Sequence, residues 1–540
     1  MMFISHLIKN KYRVIKIRKI LIITGKNSYP IIKKITASIT KQEIEVFKAP
    51  ITISAFLSEK IVRDMLKDLN LNEHDLVLLP GFIQWDTTKL EEEISIEIKK
   101  GPEFASDLPM ILKRIDSIKL SNKIAANKML EISVEQDYED IVKEQIEFAK
   151  ENIGFHTFFI NEQSSNVMVG KNLLPPIIAE VVNCPEKSDD AILKKVNHYI
   201  ESGADIIDIG CVVNKSYPER IKEIVHLIRN SFNVLISIDS MEKSEILAAV
   251  DEGVDLILSL DLGNFKDFLS LPRDIPIVIL PTNIKAAYFP KEPEIRVKNL
   301  FKLTQELKQN GFKKLIADPL LETPISPGIC NSLETYFLYK KQVSKAETKN
   351  LELPLFFGIS NVVELMDIDS VGINGLLASI AIELDMGVLF TVEHSTKLMG
   401  GVRELKESIK LNYVSKYKNT PPINQGINIF KAKGKTSQAL PEIDMSDAIS
   451  VKDYSGGYIH DKNGYFKFYI NHYTKEIYVL FFSNDDNLLK TLIGNNAEAL
   501  SKKVLELNLT TNLEHISYIG RELAKAELCL NFGKPFLQDE

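Results

Sequence analysis

Between about Gly154 and Ser415, short apolar runs alternate with stretches of helical spacing. The runs are "PIIAEVVN", "ADIIDIG", "VLISID", "DLILSL", "PIVILP", "LIADP", "LFFGIS" and "MGVLFTVE". Each is apolar at consecutive positions, the pattern of a parallel strand covered on both faces. The stretches between them, such as "DAILKKVNHYIES", "ERIKEIVHLIRNS" and "KNLFKLTQELKQNG", repeat apolar residues every three or four positions, as a helix with one buried face does. Eight strands, each followed by a helix or long loop over about 250 residues, match the count and length of a (β/α)8 TIM barrel. An open doubly wound sheet is the rival, and eight repeats in one run favour closure.

The flanks read differently. Residues 18–131 alternate strand and helix, with "KILIITG" and "DLVLLPGF" as apolar runs and "SEKIVRDMLKDL" as a helix between them, which predicts a small N-terminal α/β domain. The loops "LPGF" and "GPEFASDLP" lack a GxGxxG or Walker pattern and read as ordinary turns. Residues 426–540 follow the linker "NTPPINQG". There "DKNGYFKFYINHYTKEIYVLFF" predicts strands joined by Lys-Asn-Gly and His-Tyr-Thr-Lys turns, and "NAEALSKKVLEL" and "YIGRELAKAELCLNFG" predict two helices. This makes a small α+β domain suited to packing or oligomerisation, and a homo-oligomer is expected. The fold class is α/β, with the barrel at 154–415 flanked by these two domains.

Composition narrows the function. A chain of 540 residues is too long for one ordinary domain. The 66 basic and 73 acidic residues are interspersed and leave a net charge of -7, against a nucleic-acid partner. The basic run "KNKYRVIKIRK" reads as a solvated lead-in to the first strand. No stretch reaches the roughly 18 apolar residues that span a bilayer. Cys184, Cys211, Cys330 and Cys529 form no CxxC pair or metal-ligand spacing, so a reduced cytoplasmic chain with no membrane partner is expected.

Chemistry in such barrels sits at the C-terminal ends of the strands. Those ends carry Asn183, Asp208, Asp239, Asp261, Asp318, Asn361, and Glu393 with His394. A 2-amino-4-oxo heterocycle shows two adjacent N–H donors on one edge, and a carboxylate accepts both in parallel. Acidic and amide side chains at an apolar mouth therefore select a pterin or guanine-like ring, with Leu258, Leu280 and Phe357 to cover its faces. A single aspartate at a strand end more often caps a helix. Several around one cavity need a shared partner.

The stretch "PIIAEVVNCPEKSDDAILKKVNHYIESGADIIDIG", followed by "VLISIDS", resembles the opening of the pterin-binding barrels: dihydropteroate synthases and methyltetrahydrofolate:corrinoid methyltransferases. As a whole the chain is most similar to the dihydropteroate synthase-related proteins of methanogenic archaea. The resemblance implies that Asp239 and Asp318 hold the pterin edge. It implies that Asn183 helps place a magnesium pyrophosphate, and that Asp208 serves the scaffold. Dihydropteroate synthases have an asparagine where this chain has Leu258; Asp261 or Asn264 would have to replace it. Their seventh-strand lysine is absent. Gly358-Ile359-Ser360-Asn361 instead is similar to the methyltransferases, whose asparagine lies near the methylated ring nitrogen. The last-strand Arg-x-His that grips pyrophosphate reads Thr391-Val392-Glu393, and the loop "CVVNKSYPE" lacks the motif that helps hold aminobenzoate.

The function this implies is a pterin-binding transferase condensing a dihydropterin pyrophosphate with an arylamine, in tetrahydromethanopterin or folate-type cofactor biosynthesis. Asn361 and Asp318 are then the catalytic candidates, and Asp239, Asp318, Asp261 and Asn361 hold the pterin. Asn183, Ser395, Thr396 and Lys397 would hold the anion, the last three at an expected helix start, and Asn183 a magnesium ion. The alternatives are methyl transfer from a methyl-tetrahydropterin to a separate corrinoid protein, and a non-catalytic pterin-binding protein.

Overall fold

The computed structural model describes residues 18–429, except 38, 40, 41, 117, 424 and 428, and residues 461–538. The basic run before Arg18 and the 430–460 part of the third block lie outside the described residues. The chain forms two compact units, one running to Asp140 with 423–428 added, the other containing Ile141–Pro422 and the C-terminal segment.

The first unit is built on a parallel sheet of β1 (Lys19–Thr24), β2 (Glu43–Lys48), β3 (Leu76–Leu79) and β4 (Glu97–Lys100), in the order β2-β1-β3-β4. The sequence reads as three strands alternating with two helices, of which the apolar runs are the central β1 and β3; β2 and β4 alternate charged and apolar residues. Period-two alternation gives β1 and β3 two buried faces: Ile20, Ile22, Leu76 and Leu78 enter one core, Leu21, Ile23, Val77 and Leu79 the other.

The second unit holds the barrel. An antiparallel hairpin, β5 (Thr157–Phe159) and β6 (Met168–Gly170), precedes it. Eight parallel strands follow: β7 (Ile177–Val181), β8 (Ile206–Gly210), β9 (Leu235–Asp239), β10 (Leu256–Leu260), β11 (Ile277–Ile279), β12 (Leu315–Ala317), β13 (Phe356–Gly358) and β14 (Val388–Val392). Each lies within one of the eight expected runs. Their order, β12-β11-β10-β9-β8-β7-β14-β13, is closed by a parallel bridge from Ala317 to Leu355, with Ala317 N–H donating to Pro354 O at 2.9 Å. The helices begin where local chemistry dictates. Ser188 accepts the Ala191 N–H to cap the helix Asp189–Ser202, Asp189 and Asp190 fill its first turn, and Gly203 ends it at φ 100°.

One residue from every barrel strand meets in a central apolar layer: Ile178, Ile206, Leu235, Leu256, Val278, Ile316, Phe356 and Val388. Phe158, Ile160 and Val169 of the hairpin segment pack on the same cluster and plug the N-terminal end. Phe357 does not line the interior. It is one residue out of phase with Phe356 and meets Tyr336 of the helix Ile329–Val343 edge-on at 5.2 Å.

The rest of this unit is an antiparallel meander of β15 (Tyr465–Asn471), β16 (Glu476–Phe482) and β17 (Leu488–Gly494), packed on the helices Ala497–Glu506 and Leu513–Phe532. The His-Tyr-Thr-Lys turn joins β15 to β16 as expected, whereas Lys-Asn-Gly precedes β15. The third strand escapes sequence reading because it is largely exposed and mixes lysine and threonine with leucine.

Candidate functional site at the barrel mouth

Two residues beyond the central layer, alternation turns Glu180, Asp208, Leu258, Asp318 and Phe390 to the inner face. Glu180 pairs in register with Asp208, and Gly210 with Asp239, so three carboxylates stand on adjacent strands. Asp208 is fully buried; its Oδ1 accepts the Ser237 hydroxyl at 2.5 Å, while its buried Oδ2 has no partner among the described residues. The Glu180 side chain lies over the Gly210 backbone, where an added Cβ would overlap its Oε1. Asp239 stays open to solvent through the mouth but is walled in by protein.

Enclosure sets the charge state of this wall. Burial, reinforced by Asp239 and Glu364, lifts the Glu180 carboxyl to about 8. Asp208 is raised well above the carboxylate range by burial and by Asp239 and Glu180. Burial raises Asp239 to about 6. Across the mouth, burial raises Asp318 to about 7, opposed by the Leu320 N–H, the Tyr336 hydroxyl and Arg296. Only Asp318 Oδ1 is engaged, by Leu320 N–H at 2.8 Å and by Tyr336 OH at 3.4 Å. Arg296, fully buried, ties the segment after β11, through the Pro290 carbonyl, to the loop beyond β12, through the Leu320 carbonyl and the Glu322 carboxylate.

The other expected residues divide. Asp261 is buried with both oxygens committed: Oδ1 to the Gly263 and Asn264 N–H groups, Oδ2 to the Thr282 hydroxyl and Ile284 N–H. It anchors its own loop and offers no acceptor to a ring. Asn361 is exposed at the end of β13 in the short helix Ser360–Val363, its Nδ2 donating to Leu321 O at 3.0 Å. Its amide thus ties two mouth loops together and does not cap its helix.

The helix expected near Ser395 begins instead at Gly401; Thr396–Leu398 is a single 3-10 turn. Ser395 keeps a buried hydroxyl with no partner among the described residues, and Lys397 donates to Met366 O at 2.9 Å and pairs with Asp367 at 3.2 Å. Glu393 is buried, accepting His198 Nε2 at 2.9 Å and the Val402 N–H at 3.0 Å, with Lys195 Nζ 3.6 Å away. Burial opposes its charge, but His198, Lys195 and Val402 together hold it below the usual carboxylate range. Asn183 is exposed, at φ 50° before a 3-10 turn. Among the described residues no group of three His, Cys, Asp or Glu is placed to hold a metal ion.

Residues 183–378 match the family model described as Pterin binding enzyme, and residues 460–539 match a second, PterinBD-DUF4346. An uncharacterized protein of Methanocaldococcus jannaschii is 33% identical over 536 residues, spanning 97% of this chain and 99% of its own. The chain belongs to the dihydropteroate synthase-related family of pterin-binding enzymes. Solved structures that it resembles include a Yersinia pestis dihydropteroate synthase with a pterine-sulfa conjugate, 18% identical over 45% of this chain and 94% of that one at a TM-score of 0.35. Another is the 7,8-dihydropteroate synthase of Vibrio fischeri, 20% identical over 48% and 98% at a TM-score of 0.35.

In this pterin-binding family member, sequence reading missed Glu180. The signal was present: in "IIAEV" the glutamate shares a face with Ile178, so a residue expected inside is charged. A strand read as uniformly apolar hid it.

Proposed function

We propose that the barrel mouth binds a pterin and transfers a group from it. The observation that supports this most is the inward set of carboxylates Glu180, Asp208, Asp239 and Asp318, which no described lysine, arginine or histidine pairs within the mouth. A 2-amino-4-oxo ring brings paired N–H donors to Asp318, whose open Oδ2 and engaged Oδ1 lie at the end of β12. Two such donors favour the ionised form and pull its pKa back down. Leu258 and Phe390 provide the apolar surface a flat ring needs.

The electrostatics favour transfer of a methyl group from a tetrahydropterin nitrogen to a corrinoid protein. That nitrogen keeps the bonding pair as its methyl leaves and must gain a proton, which protonated carboxyl groups at the mouth can supply. A departing pyrophosphate wants cations, and Lys195 and Lys397 are committed to Glu393 and to the Met366–Asp367 loop. Condensation of a dihydropterin pyrophosphate with an arylamine is the second reading. It is favoured by Asn183 and Lys187 on the loop after β7, whose side-chain polar ends have no partner among the described residues.

Purified protein is given methyl-tetrahydropterin with cob(I)alamin, or dihydro-hydroxymethylpterin pyrophosphate with an arylamine. Methyl transfer to cobalt is expected. Amine-dependent pyrophosphate release would install the second reading; pterin binding without either would make the barrel a carrier, and absence of pterin binding would overturn all three.

A further inference from the structure

Glu180 is the one mouth carboxylate that resembles neither a ring-binding aspartate nor a loop anchor. Its carboxyl has no hydrogen-bond partner among the described residues, and it lies against the Gly210 backbone. Every titratable group among the described residues that meets it is acidic or neutral. Asp208 faces it from β8, Asp239 from β9 and Glu364 from the segment after β13; Cys184 lies on the loop that follows its own strand. Tyr199, on the helix Asp189–Ser202, donates to the Glu180 backbone carbonyl at 2.9 Å. Next to it, the fully buried Asp208 Oδ2 has no partner. Three adjacent carboxylates with no cation cannot all be ionised, so the wall stores at least one proton. Strand order sets this wall across the mouth from Asp318, so a ring held by its amino edge on Asp318 turns its opposite edge toward β7–β9.

We propose that Glu180 is the proton store of the site and delivers its proton to the pterin ring nitrogen as the transferred group leaves. This rests on the pterin reading above. In the step, the nitrogen–carbon bond breaks and the methyl carbon bonds to the electron pair of a nucleophilic corrinoid cobalt. The bonding pair stays on the ring nitrogen, which takes the Glu180 proton. Glu180 is left as a carboxylate and regains a proton from water by way of solvent-open Asp239.

Two measurements on the full chain separate this proposal from the pterin reading. Infrared difference spectra of the ligand-free protein should show a carboxylic-acid carbonyl band that is lost as pH rises through about 8. The component that titrates near 8 should be absent in Glu180→Gln, while the carbonyl absorption of Asp208 and Asp318 remains. That component should be shifted in Gly210→Ala, whose added methyl displaces the carboxyl without removing it. Single-turnover methyl transfer from methyl-tetrahydropterin to cob(I)alamin should then slow by about 10²–10⁴-fold in Glu180→Gln at unchanged pterin affinity. Glu180→Asp should recover part of the rate. A component titrating near 8 that survives in Glu180→Gln, or an unchanged rate, overturns the assignment even if the pterin binds. A wild-type protein that shows the band but binds no pterin overturns delivery to a pterin, and with it the reading on which delivery rests.

Discussion

Asp318 carries two requirements on one side chain: burial that favours its neutral form, and a ring edge that needs it charged. Asp318→Asn should weaken binding of a tetrahydropterin by about 1.5–3 kcal/mol, read by fluorescence titration, because one charge-assisted pair becomes a mismatched amide. The wild-type dependence on pH has a definite sign. With the free carboxyl at about 7, affinity should be full above that value and fall as pH drops below it, since a proton must be displaced. The asparagine variant should lose that limb. At this scale the sequence exposes Asp208, Asp239 and Asp318, because a charge closing an apolar strand announces itself. It does not separate a free carboxylate from a spent one. Asp239 and Asp261 read alike along the chain, yet the first has no partner for its carboxylate among the described residues and the second accepts four hydrogen bonds, two within its own loop and two from the loop after β11.

The end of β14 shows how one buried side chain sets the place of several elements. Glu393 joins the strand to the helix Asp189–Ser202 through His198 and to the first turn of the helix Gly401–Tyr417 through Val402. Tyr199 of the first of these helices adds a 3.1 Å contact to the Glu393 N–H. Across the same region His198 meets Tyr473 of the turn after β15 edge-on at 5.5 Å. Glu393→Leu should cost about 3–5 kcal/mol in denaturant unfolding of the barrel, since it leaves Lys195 and His198 without their partner. The wild-type contribution is present at neutral pH and lost as pH falls through the lowered Glu393 value, so the gap between variant and wild type should close in acid. The sequence places the strand correctly but moves the helix start to Ser395. Capping chemistry at Ser395 and Thr396 is locally plausible; the long helix begins six residues after Ser395, at Gly401, where Glu393 reaches its first-turn donor.

At the scale of the molecule, the barrel is a stack of layers: a hairpin plug, an eight-residue apolar ring, then the carboxylates. The plug and the mouth lie at opposite ends, which makes their effects separable. Phe158→Ala should lower barrel stability by about 3–5 kcal/mol in chemical unfolding while leaving pterin affinity unchanged at temperatures where the barrel stays folded. A large loss of affinity in a folded Phe158→Ala protein would mean that the two ends are coupled through the core.

The sequence by itself determined the eight strands, the helices between them and the side of the barrel that carries chemistry, because period, apolar runs and caps are local properties. It also marked Asp239 and Asp318 as candidates, since a charge that closes an apolar run is a local feature of the chain. Only the tertiary structure decided which oxygens are free. Whether Asp261 or Glu180 has partners depends on residues that strand order brings together from distant parts of the chain. The same closure of the sheet turns three separate acidic residues into one wall that must hold a proton, a property of none of them alone.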